Sequence, residues 1–293
     1  MKSDNTKIIE EFEYFDDKTK KYFKIPKGLK HILVFGQSRQ GKSSIINMIT
    51  GKNKMTGAEV SPDIIGCTCS TKPWINHEYC FWDTTGLNEN DKGLVINTDS
   101  TKALIKFVRN SKGFHGAMMV VSHNNLNSSN TERNWKLFYD NFLDQRVPMI
   151  ICITGRGMES SDNDIEWLYD QNDLLKKYGY LGNNGNGYTC VVYSKDFSEI
   201  MESYRNQYTQ LRLNSIKFLN SILAKNINHI YYNPIEELGV EETFKKIWNT
   251  LMNLFGWKSM MFSIRDSFLY LLKKIGFPQS EAEEICKEFY FDN

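Results

Sequence analysis

The chain has 293 residues, with 36 Lys/Arg against 35 Asp/Glu and a formal charge of +1. That balance excludes a general attraction to nucleic acid or to an anionic membrane, and the length allows one large domain with an appendage, or two small domains, around a sizeable core. No run reaches the roughly 18 uninterrupted apolar residues a membrane span requires, and the polar start MKSDNTKIIEEFEYF lacks the apolar centre of a secretory signal. The six cysteines, Cys67, Cys69, Cys80, Cys152, Cys190 and Cys286, are thinly spread. Three of them fall in apolar strand-like runs, where a thiol behaves as a small hydrophobe. They predict a reducing, cytoplasmic setting. Cys67-Thr68-Cys69 has no second Cys/His pair at ligand spacing near it, which argues against zinc.

After a charged lead-in over residues 1–29, the apolar run Ile32-Leu33-Val34-Phe35 predicts a buried strand, and residues 42 to about 50 predict an amphipathic helix. Between them stands GQSRQGKS, residues 36 to 43. A Gly-rich turn between strand and helix lets backbone N–H groups surround a phosphate chain. Gly36 and Gly41 let the backbone close over the phosphates, Lys42 reaches the β- and γ-phosphate oxygens, and Ser43 offers its hydroxyl to Mg²⁺. Gly36, Gln37, Ser38, Arg39, Gln40, Gly41, Lys42, Ser43 and Ser44 are therefore the nucleotide-binding candidates here.

Residues 52 to 66 read as a long loop. Residues 70–75 and 78–82 read as two short strands about a polar turn at Asn76-His77. Asp83-Thr84-Thr85-Gly86 closes the second of these strands. In that setting Asp83 holds Mg²⁺ through water and the Gly86 N–H donates to the γ-phosphate, which favours a GTPase over a kinase. Thr68, just ahead of the hairpin, is the candidate to reach Mg²⁺ from a mobile loop and sense the γ-phosphate. Thr71 competes for that role but falls inside the predicted strand, and a β-branched residue chosen for strand propensity is the plain alternative for either.

A helix carrying Ala103, Leu104, Phe107 and Val108 on one side follows a polar segment. Then come a strand over 115–122, a helix over 130–143 with Trp135, Phe138 and Phe142 on one face, and a strand over 147–154. A helix over 165–178, an Asn/Gly-rich insert, a strand over 188–193 and a long helix over about 199–225 complete the series. Apolar strands alternating with helices predict an α/β fold, a doubly wound, mainly parallel sheet with a C-terminal helical extension. The predicted division is a nucleotide-binding domain over 30–226 and a helical extension over 227–293. In that extension Pro234 reads as a break and residues 243–275 as helix. Its apolar positions, among them Trp248, Leu251, Phe255, Met261, Ile264 and Phe268, suit either a membrane surface or partner helix, or burial within the protein itself.

GQSRQGKSSIINMITG, the GCT ahead of the hairpin, WDTTGL and the strands HGAMMVVS and VPMIICITG together resemble the septin-like GTPases related to translation factors. The likeness is to the GIMAP-type immune-associated nucleotide-binding and chloroplast Toc-type members, over about residues 30–225. It implies a Mg²⁺-dependent switch binding GTP and GDP, pairing of G domains into a homodimer, and work near a membrane. Members usually read guanine with an Asn- or Thr-Lys-x-Asp sequence, whereas this chain has Thr154-Gly155-Arg156-Gly157 and lacks that carboxylate. Thr154 and Arg156 stand at the base-reading place, Asp162 and Asp164 are candidates to replace the carboxylate, and Ser194-Lys195 resembles the loop that backs the base. Leu87 stands where Ras-like enzymes carry the water-orienting glutamine, so intrinsic hydrolysis is expected to be slow. Arg39 matches a P-loop arginine that, in guanylate-binding-type GTPases, swings onto the phosphates when two G domains meet; the alternative is a solvated surface arginine. A non-hydrolysing scaffold and an ATP-binding variant of the fold are the competing functions.

Overall fold

The computed structural model describes residues 8–16, 21–37, 39–51, 72–75, 78–84, 112–157, 163–177, 187–194, 200–227 and 230–255, with isolated positions between 269 and 283. The segment read as a lead-in carries an antiparallel hairpin, β1 (Phe12–Asp16) and β2 (Lys21–Ile25), in the register Phe12 opposite Ile25. Six further strands form one sheet: β3 (Lys30–Phe35), β4 (Lys72–Ile75), β5 (Tyr79–Asp83), β6 (Gly116–Ser122), β7 (Met149–Thr154) and β8 (Gly187–Val191). Their order is β4-β5-β3-β6-β7-β8. All neighbours are parallel except β4, which pairs antiparallel with β5.

The apolar residues of the central strands explain why both faces are covered. Side chains alternate across a strand, and in β3, β6 and β7 both sets are apolar. Leu33, Phe35, Met119, Val121, Ile151 and Ile153 join one buried cluster. Ile32, Val34, Met118, Val120, Ile150 and Cys152 join the other. On the second face lie α1 (Lys42–Thr50) and α4 (Arg205–Asn226), which contribute Ile45, Ile46, Leu219 and Leu223. The first face takes α2 (Ser129–Trp135), α3 (Asp164–Lys177) and α5 (Pro234–Phe255) through Trp135, Leu175 and Ile247. The doubly wound, mainly parallel α/β arrangement expected of the sequence is what the chain forms.

Two helices differ from the pattern read off the sequence. The helix expected over 130–143 is α-helical only to Trp135 and continues as a π-helical segment, Lys136–Phe142, in which the Leu143 N–H bonds the Phe138 carbonyl five residues back at 2.9 Å. The wider turn accompanies burial of Leu137, Phe138, Tyr139 and Phe142 against the core, with Tyr139 donating to the Val147 carbonyl at 3.1 Å. Apolar spacing alone does not distinguish a π turn from an α turn of similar length. Pro234, read as a break, is instead the first residue of α5, where its missing N–H costs nothing. Asn233 accepts from the Ile235 N–H at 3.1 Å as the cap, and Gly239 (φ 81) kinks the helix. Among the described residues no helix is long and apolar enough to cross a membrane.

The N-terminal hairpin packs where β3, β5 and β6 begin or pass. Phe12 stacks on Trp82 with ring planes 6° apart and centroids at 6.3 Å. Trp82 Nε1 donates to His31 Nδ1 at 3.2 Å, and the His31 backbone N–H donates to His115 Nδ1 at 3.0 Å. His31 is fully buried, and that burial, with the neighbouring His115, lowers its pKa from 6.5 to about 3. The unfolded chain therefore binds a proton between those values that the folded chain does not, so stability rises with pH across that window. The protein should be about 2 kcal/mol less stable near pH 5 than near pH 7.5. Urea unfolding at the two pH values, repeated with His31→Gln, checks this; an equal pH dependence in the variant assigns the loss to other groups.

Candidate functional site

β3 runs directly into the loop 36–41, and α1 starts at Lys42. The loop can make this turn because Gly36 (φ 139) and Gly41 (φ 96) hold backbone angles that side chains resist, and Arg39 (φ 59) takes the left-handed conformation at its tip. Space is equally limiting. A Cβ on Gly36 would run into the Val120 carbonyl oxygen of β6, so this glycine lets the loop lie against the sheet. A Cβ on Gly41 would sit 3.5 Å from Thr154 Cγ2 and 3.6 Å from Ser194 Oγ. The P-loop and the ends of β7 and β8 are thus brought together, although they are far apart in the chain.

Gln37, Gln40, Lys42 and Ser43 are each held by hydrogen bonds. Lys42 is buried, and its ammonium donates to the carbonyls of Gly36 at 3.0 Å and Gln37 at 2.8 Å, which holds the charge inside the loop. Ser43 Oγ donates to Asp83 Oδ2 at 2.8 Å across the β3–β5 pair. The other carboxylate oxygen, Asp83 Oδ1, is buried with no hydrogen-bond partner among the described residues. Burial raises the Asp83 pKa, while the Lys42 charge and the Ser43 hydroxyl oppose the rise. A hydroxyl and a carboxylate oxygen in contact, with the second oxygen unsatisfied, form the hard oxygen donor set that Mg²⁺ takes, and two ligands are enough when phosphate and water supply the rest. The residues present therefore fit the ion that the sequence implies.

Four contacts that sequence reasoning missed fasten the loop and its surroundings. Gln37 Nε2 donates to Ser128 Oγ at 2.8 Å, and Ser128 also caps α2 by accepting from the Thr131 N–H at 3.1 Å. The buried Gln40 accepts from the Ser122 N–H through Oε1, while its carbonyl accepts from Thr154 Oγ1 at 2.7 Å. Thr84, beside Asp83, donates through its hydroxyl to the Val34 carbonyl at 2.9 Å. Nothing in the spacing of Ser128 names Gln37, 91 residues away, as a partner.

Of the residues expected to read the base, Thr154 stands at the C-terminus of β7 and Ser194 just beyond β8, both buried. Arg156 Nε donates to Asp164 Oδ1 at 2.7 Å, with both side chains largely shielded, and its guanidinium lies 4.3 Å over the Trp167 ring. Tyr193 OH donates to Asp164 Oδ2 at 2.6 Å; burial and then this carboxylate push the phenol well above its usual range, keeping it a donor. Asp164 was a candidate to replace the missing carboxylate, and each of its oxygens already accepts one bond from the protein. Arg39 and Ser44 are exposed on the loop and on α1. Ser38, Thr68, Thr71, Gly86, Leu87, Asp162 and Lys195 lie outside the described residues.

Residues 31–154 match the sequence profile of the family described as 50S ribosome-binding GTPase. No curated protein matches the chain. Among solved structures, the translation elongation factor SelB from Methanococcus maripaludis in complex with the GTP analogue GppNHp aligns at a TM-score of 0.38 and 14% identity, covering 68% of this chain and 35% of that one. The chain thus spans about a third of that relative's length. The G domain of the T. maritima FeoB iron transporter aligns at 0.35 and 13% identity, over 62% of this chain and 99% of its own. A small GTPase of Encephalitozoon cuniculi, titled ADP-ribosylation factor-like and SAR1 and solved with GDP, aligns at 0.35 and 13%, over 67% and 83%. The loop, its neighbouring aspartate and the profile match all fall on the same strands, so over residues 31–154 the chain is similar to that GTPase family.

Proposed function

We propose that this chain is a Mg²⁺-dependent guanine-nucleotide switch of the septin-like type, with slow intrinsic hydrolysis. The observation that carries the reading is the pairing of Ser43 with Asp83, which leaves Asp83 Oδ1 buried and unsatisfied beside the Lys42 loop. Lys42 and the loop N–H groups would hold the phosphates, and Ser43 and Asp83 the ion. Bound Mg²⁺ would offset negative charge on the phosphate oxygens. Thr68 and Gly86 are assigned by sequence to sense the γ-phosphate. Release of nucleotide by denaturing the purified protein tests the reading: GDP supports it, whereas ADP or ATP replaces guanine with adenine chemistry. Leu87, an apolar residue where water must be oriented, favours a second reading, a scaffold that binds without turnover; recovery of unhydrolysed GTP would select it.

Dimerisation through the G domains is the proposed route to faster hydrolysis, with Arg39 as the group that reaches the phosphates. Its exposure at the loop tip, in a left-handed conformation, supports this assignment. The specific GTPase rate should then rise with protein concentration by about tenfold or more and stay flat in Arg39→Ala. A wild-type rate independent of concentration removes Arg39 from the reaction. The C-terminal helices are proposed as the surface for a protein partner or a membrane; a cytoplasmic location is proposed from the thinly spread cysteines and a place near a membrane from the septin-like resemblance.

A further inference from the structure

The base-reading end lacks the expected carboxylate, but it has a cation held in place. Gly155, at the position where relatives carry lysine, has φ +80, and a Cβ there would meet Ser122 Oγ at 3.0 Å, so a larger side chain is strained. The next residue supplies the charge. Arg156 is fixed at three points: its backbone follows Thr154, which is tied to the P-loop carbonyl of Gln40 at 2.7 Å; its Nε is bound to Asp164 at 2.7 Å; and its plane lies over Trp167 at 4.3 Å. Asp164 is itself held by Tyr193, the residue before Ser194. This cluster stands at the carboxyl ends of β7 and β8, the place where open parallel sheets of this kind receive ligands.

From this geometry we infer that Arg156 is the residue that selects guanine, by donating from its guanidinium to the O6 and N7 acceptors of the base instead of accepting from N1 and N2. The inference rests on the nucleotide-binding reading above. A guanidinium has only donors, and O6 with N7 presents two acceptors side by side, so the planar fork matches guanine. Adenine places an amino donor where guanine has O6, which sets donor against donor. The pairing with Asp164 and the stack on Trp167 fix the fork before the base arrives, so little rotamer freedom remains to be lost on binding.

The two chemistries separate on modified bases. Inosine diphosphate lacks the 2-amino group but keeps O6 and N7; 7-deaza-GDP keeps the 2-amino group but lacks N7. Calorimetric titration of the nucleotide-free full chain with Mg²⁺ should find inosine diphosphate within about threefold of GDP, and 7-deaza-GDP and ADP each weaker by about 10- to 100-fold. Arg156→Lys, which keeps the charge and loses the fork, should shrink the preference for GDP over ADP by about tenfold or more. Binding that needs Lys42 yet is lost with the 2-amino group overturns the inference alone and returns the role to a carboxylate. Equal affinity for GDP and ADP in the wild type also overturns it alone. Binding indifferent to Lys42→Ala, or no binding, overturns the nucleotide reading and this inference with it.

Discussion

Lys42→Ala is expected to lower GDP affinity by about 100-fold, the loss of a charge-assisted contact to a polyanion in a partly dehydrated site. The structure adds a reason beyond charge. The Lys42 ammonium already bridges the Gly36 and Gln37 carbonyls at 3.0 and 2.8 Å, so it organises the loop as well as carrying its charge. Lys42→Arg tests that double role, because it keeps the charge with a fork too wide for the two carbonyls. Calorimetry with GDP, alongside thermal unfolding without nucleotide, separates the two contributions. Unchanged affinity in Lys42→Ala would show that nucleotide binds elsewhere.

Gly36→Ala should be nearly as damaging, through sterics rather than charge. At φ 139 an added methyl is strained, and it would meet the Val120 carbonyl, which cannot move without breaking the β6–β7 ladder. The expected cost is about 3 kcal/mol of stability, or displacement of the loop with a comparable loss of GDP affinity. Gly51→Ala is the matched control. That glycine, after α1, also has positive φ (78) but has nothing among the described residues within 4 Å of its Cβ position, so only backbone strain of about 1–2 kcal/mol should appear. Equal effects at the two positions would mean that contact with β6 is not what Gly36 provides. Chemical denaturation of both variants, followed by GDP titration of whichever folds, makes the comparison.

Local chemistry was readable in the chain because it depends on neighbours in sequence. The loop 36–43 needs glycines where φ is positive, a strand behind it and a helix ahead, all within about twenty residues. The doubly wound sheet was readable for a similar reason: β3, β6 and β7 carry apolar residues on both faces, and a strand without a polar face must be covered on both sides. The N-terminal hairpin was not readable, because Phe12–Asp16 and Lys21–Ile25 mix charges with aromatics and gain their purpose only from Trp82 and His31, residues distant in sequence.

The glycine-rich turn between strand and helix and the sheet's class were thus written in short stretches of the sequence, because periodicity and backbone constraint act over a few residues. Tertiary structure alone decided that Gln40 would be gripped by β6 and β7, that Gln37 would reach the cap of α2, and that Asp164 would be shared between Arg156 and Tyr193. Each of those bonds satisfies a polar group that folding removed from water. The partner that satisfies it is whichever one the sheet order and helix packing place within hydrogen-bond reach.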